Sequence, residues 1–66
     1  MKVTLNGEAR ELPPGLTLQE LLEQLKLSPE RVAIEHNREI VQRERWSAVR
    51  IQDGDQLEIV HLVGGG

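Results

Sequence analysis

The stretch "LTLQELLEQLKLSPE" constrains the fold more than any other part of the chain. Leu18, Leu21, Leu22 and Leu25 follow the i, i+3, i+4, i+7 spacing of a helix with one apolar stripe. Thr17 and Glu20 have capping-box spacing, so hydroxyl and carboxylate can each satisfy an amide at the helix start. Ser28-Pro29 is predicted to stop the helix, because the residue before proline avoids helical angles. A helix that is apolar on one side needs a second layer to bury that side. With 66 residues the chain makes one small domain, near the lower limit for a self-sufficient core. The remaining segments must therefore supply the second layer.

They read as strands. "KVTL" places Val3 and Leu5 on one face, and Asn6-Gly7 follows as a hairpin turn, since both residues tolerate positive φ. "EARELP" is the return strand, stopped by Pro13-Pro14. A two-residue turn would set Arg10 opposite Val3 on the apolar face, a conflict that a snorkelling stem or a wider turn would relieve. "RVAIEHN" alternates with Val32 and Ile34 on one face. "REIVQRERW" reads as a turn, a short strand at Ile40-Val41 and an irregular or short helical stretch. "DGD" is a turn, and "QLEIVHLV" is the last strand, with Leu57 and Ile59 inward. The order β, β, α, β, short β, β predicts an α+β fold: a mixed four- to five-stranded sheet with the helix across one face. The predicted core joins the four leucines to Val3, Leu5, Val32, Ile34, Leu57 and Ile59. Residues 1–63 form the domain, and 64–66 a flexible glycine tail.

Composition narrows the chemistry. Without cysteine there is no disulfide, thiol nucleophile or sulfur ligand for a metal. A net charge of −3 with 29% charged residues favours solubility and disfavours nucleic acid as a partner. "MKVTLNGEAR" lacks the apolar core of a secretory signal, and no apolar run approaches the roughly 20 residues needed to cross a bilayer. A soluble, cytoplasmic, monomeric domain is expected. His36 and His61 have no nearby ligand set, so surface positions are expected, with His61 facing a partner as the alternative. Trp46 is the sole aromatic residue and is predicted to plug the core, with an interface anchor as the alternative. Glu20 and Glu23 fall on the solvated side of the helix, and the run Arg43, Glu44, Arg45 reads as a solubilising loop. No nucleophile–base pair, metal cluster or phosphate-cradling loop stands out, so no bound cofactor and no enzyme activity are expected.

Two features remain. Alternation in the last strand breaks at Val60 and Leu62, which make the outward face apolar too. Either another segment covers them, or they form a docking patch. Three glycines, Gly64, Gly65 and Gly66, then follow. Glycine loses more backbone freedom on ordering than any other residue, so such an end is either inert or meant to be free and thin.

The ββαβ(β)β order, "AIEHNREIVQRERW", "DGDQLEIVHLVGGG" and the chain length together resemble the ThiS family, ubiquitin-like sulfur carriers of thiamine biosynthesis with the β-grasp fold. The resemblance spans the chain, with one departure: Gly64 precedes the family's terminal Gly-Gly and reads as a longer neck. It implies that an adenylating enzyme joins the Gly66 carboxylate to AMP, using ATP that the partner binds. A sulfur nucleophile from a donor such as a cysteine desulfurase then replaces AMP. The resulting thiocarboxylate would supply sulfide to a thiazole synthase. Gly64 and Gly65 would thread the end into the partner, with a reach of about 10 Å beyond Val63. Val60 and Leu62 would dock the adenylating enzyme. Alternatives are a related carrier serving molybdopterin synthesis or tRNA thiolation, a ubiquitin-like protein modifier, or a plain interaction module.

Overall fold

The computed structural model describes residues 1–63. The strands are β1 (Lys2–Leu5), β2 (Glu8–Glu11), β3 (Val32–His36), β4 (Glu39–Val41) and β5 (Gln56–His61), with one α-helix, α1 (Leu18–Leu25). Short 3₁₀ turns occupy Pro29–Arg31 and Arg43–Arg45. The five strands form one sheet in the order β2-β1-β5-β3-β4. β1 and β5 run parallel at its centre, and the other pairs are antiparallel. This is the mixed sheet and single helix predicted above.

The first hairpin closes as expected. Asn6 and Gly7 take φ of 51° and 81°, so a two-residue turn joins β1 to β2 and sets Val3 opposite Arg10. The expected conflict at Arg10 does not arise, because β2 is an edge strand whose four residues are all exposed.

Both halves of the capping box form. The Thr17 hydroxyl accepts from the Glu20 amide at 3.1 Å, and Glu20 Oε1 accepts from the Thr17 amide at 2.9 Å. The helix stops earlier than Ser28-Pro29 predicts. Lys26 takes a left-handed conformation (φ 59°), its amide donates to the Glu23 carbonyl, and the Leu27 amide donates to Leu22 at 3.0 Å. That pair of bonds closes the last turn and brings Leu27 back against the core. Pro29 instead begins the following 3₁₀ turn. Leu25, the last residue of the stripe, is half-buried, whereas Leu18, Leu21 and Leu22 are fully enclosed.

Val3, Leu5, Val32, Ile34, Leu57 and Ile59 meet those leucines in one cluster. Four further members, Leu12, Leu16, Trp46 and Ile51, come from outside the regular elements. Trp46 is 2% exposed and donates its indole N–H to the Val41 carbonyl at 2.9 Å, the core role expected of it. Its own carbonyl accepts from the Gln19 amide, and that of Val49 from Leu18, so this irregular segment satisfies two amides at the start of α1.

Candidate functional site: the exposed end of β5

β5 carries two faces with different fates. Leu57 and Ile59 point into the core, as alternation requires. On the opposite face Val60 is 49% exposed and Leu62, just past the strand, is 55% exposed; Val63, which follows, is fully exposed. Val60 pairs across the sheet with Ala33 of β3. Ile40 of β4, the partner of Glu35, is 69% exposed. No segment among the described residues covers Val60 or Leu62, so the choice left open by the sequence falls to an exposed apolar strip. Beside it lies a groove of about 240 Å³ lined by Ala33, Ile40, Val41, Trp46 and Leu62, among others.

Hydrogen bonds hold the backbone of the strip as far as Leu62. The Ile59 amide donates to the Asn6 side-chain oxygen at 2.8 Å, and the Asn6 amide group donates back to the Ile59 carbonyl at 3.4 Å. Asn6 thus does more than turn the hairpin: its side chain extends the β1–β5 pairing one step beyond the end of β1. Past β5, the Leu62 amide still donates to the Arg31 carbonyl at 2.8 Å. These bonds fix where the chain leaves the domain.

The other end of β5 is knotted by polar groups. Asp55 is buried, and its Oδ2 accepts from His36 Nε2 at 2.7 Å and from the Gln52 amide at 2.8 Å. Its Oδ1 accepts from the Asn37 side chain at 3.2 Å. Burial by itself pushes the Asp55 carboxyl up, but the bonds from Gln52, His36 and Asn37, with attraction from His36, together hold it below the ordinary value of 3.8. His36 is therefore not the surface histidine expected: its side chain is 22% exposed and tied to Asp55. Sequence reading missed the pair because the two residues lie 19 positions apart and belong to different elements. "DGD" carried only a turn signal. His61, by contrast, is exposed.

The structure thus brings Val60 and Leu62 together at the end of the domain. Gly64, Gly65 and Gly66, assigned to threading and chemistry, lie outside the described residues, as does the boundary of the tail. Among the described residues no cluster of three or more His, Cys, Asp or Glu side chains is placed to hold a metal ion. No described helix is long and apolar enough to cross a membrane.

The sequence model of the ThiS family matches residues 3–66. The chain belongs to the ThiS family. Over its full length it is 38% identical to the sulfur carrier protein ThiS of Escherichia coli, covering all of that chain too. A crystal structure of the thiamine biosynthesis protein ThiS from Geobacter metallireducens superposes with a TM-score of 0.88 at 36% identity, each chain covering all of the other. The ThiS β-grasp architecture is thus shared with a solved relative. The chain is also 47% identical over all its residues to part of a thiazole synthase from Magnetococcus marinus, of which it spans 20% of the length.

Proposed function

We propose that this chain is a sulfur carrier for thiazole formation in thiamine biosynthesis, with the Gly66 carboxylate as its working group. The observation that carries the reading is an exposed apolar strip leading into a glycine terminus on a ThiS-family domain. A carboxylate is a poor acyl electrophile because its charge is delocalised. In the proposed sequence its oxygen attacks the α-phosphorus of ATP on an adenylating partner, and pyrophosphate leaves. A sulfur nucleophile then attacks the activated carbonyl and AMP leaves, on the way to a C-terminal thiocarboxylate. A donor such as a cysteine desulfurase would supply the sulfur as a persulfide, a thiol reductant would cleave the resulting acyl disulfide to leave the thiocarboxylate, and a thiazole synthase would consume its sulfide. The relative in which a domain like this one is part of a thiazole synthase supports that acceptor. On this reading the protein acts as a carrier in the cytoplasm, and the partners hold ATP and the catalytic groups. Val60 and Leu62 dock the adenylating enzyme, and Gly64 and Gly65 thread the end into its nucleotide site.

The test uses the terminus itself. Deleting Gly66 withdraws the carboxylate by roughly 3.5 Å, and a misplacement of even about 1 Å can lower a rate about a hundredfold. Adding one residue after Gly66, or changing Gly65 to valine, should be as damaging. After incubation with the adenylating enzyme, ATP and a sulfur donor, the parent should show the mass of one oxygen-to-sulfur exchange by intact mass spectrometry. All three variants should not. Normal thiolation of the extended or valine variant would overturn the carrier reading.

A further inference from the structure

The outer face of the sheet holds a local electrostatic conflict beside the apolar strip. Glu35 of β3 lies directly opposite Glu58 of β5. Side chains in such a pair project from the same face about 5 Å apart, and like charges there are destabilising. Among the described residues the ion pairs are Met1 with Glu11 and His36 with Asp55, so neither glutamate is neutralised by one. Arg38 lines the same hollow of about 150 Å³ as the two glutamates without closing an ion pair on either.

Position gives the pair its meaning. Two residues along the strands lies the Ala33–Val60 pair on the same face, and Ile40 flanks Glu35 on its other side. Two carboxylates therefore border the exposed apolar strip. We infer that the Glu35–Glu58 pair is the charge-selective half of the docking face, and that its occupant is a protein surface presenting an arginine or lysine between apolar side chains. This rests on the docking assigned above to Val60 and Leu62, and it adds the chemistry of the partner. A guanidinium between the two carboxylates would remove their repulsion, while its stem lay over the neighbouring Ala33–Val60 pair.

Charge also excludes other occupants. A second copy of this chain would set one glutamate pair against another on a molecule of net charge −3. Nucleic acid and anionic lipid would be repelled for the same reason. The face thus selects a cationic protein surface. In the free domain Arg38 is near the pair without closing an ion pair on either carboxylate, and a cationic partner side chain would complete the neutralisation.

The experiment measures two properties of the Glu35→Gln/Glu58→Gln double variant. Affinity for the adenylating enzyme of the same organism should fall about tenfold, mainly through slower association, with a shallower dependence on salt. The melting temperature of the free double variant should rise, because the repulsion is gone. Unchanged affinity and salt dependence would overturn the proposal, as would a lowered melting temperature or a parent protein that sediments as a dimer. Leu62→Asp, checked for folding by far-ultraviolet circular dichroism, separates the two readings. If it abolishes binding while the double variant binds like the parent, the apolar docking face stands and the acidic pair falls. If both variants bind like the parent, both readings fall.

Discussion

At the start of β5, Asp55 accepts hydrogen bonds from His36, Asn37 and the Gln52 amide, and the Asp53 side chain accepts from the Lys2 amide. At its end, Val60 and Leu62 are about half open to solvent, and no segment among the described residues covers them. One strand thus runs from a polar knot to a bare apolar strip. The difference shows how a domain this small can leave apolar side chains exposed on a well-anchored strand. Register and exit direction are set at the knotted end and along the backbone, so the side chains at the open end need contribute little to stability. The Asn6 clamp on Ile59 marks the border between the two regimes.

The comparison breaks most readily at the buried face near the knot. Leu57, 1% exposed and next to the polar cluster, should lose about 2–5 kcal/mol on change to alanine. For a domain with total stability of about 5 kcal/mol, that reaches global unfolding. A thermal melt decides it, and a parent-like melt would show that the knotted end does not anchor the strand.

A smaller effect is expected from the knot itself. Asp55→Ala leaves the Gln52 amide and the side chains of His36 and Asn37 without their partner, a loss of about 1–3 kcal/mol. The pH dependence has a definite sign. A folded-state carboxyl held below 3.8 contributes stability that is complete above that value and is lost as pH falls through the lowered folded value. Acid denaturation of the parent should therefore steepen below pH 3.8, and that part of the slope should vanish in the variant. Denaturant melts across the acid range test both statements.

The smallest change should come from the open end. Val60→Ser truncates a side chain that is about half open to solvent and lies outside the core cluster, so stability should stay within about 0.5 kcal/mol of the parent. A loss matching that of Asp55→Ala would show that the strip is structural rather than presented. Matching melts with weaker partner binding would sharpen the contrast.

Much of this was legible because the deciding signals are local. The leucine stripe, the Thr17–Glu20 box, the Asn6-Gly7 turn and the alternation of Leu57 and Ile59 each lie within one or two turns of chain. They fix α1, the first hairpin and the inward face of β5, and with the segment order they fix the mixed sheet. The break in alternation at Val60 and Leu62 likewise stood in the sequence, although it left open whether they were covered.

Tertiary structure decided what depends on residues far apart in the chain. Leu12, Leu16 and Ile51 enter the core from irregular backbone, where no period of two or 3.6 announces burial. Lys26 ends α1 before Ser28-Pro29 because closing hydrogen bonds and the return of Leu27 to the core set the stop. The Asp55–His36 bond, the Asn6 clamp and the Glu35–Glu58 confrontation all require that β5 lie between β1 and β3. Periodicity states which side of a strand is apolar, but only strand order states which side chains face one another, because cross-strand neighbours are chosen by packing the whole sheet against one helix.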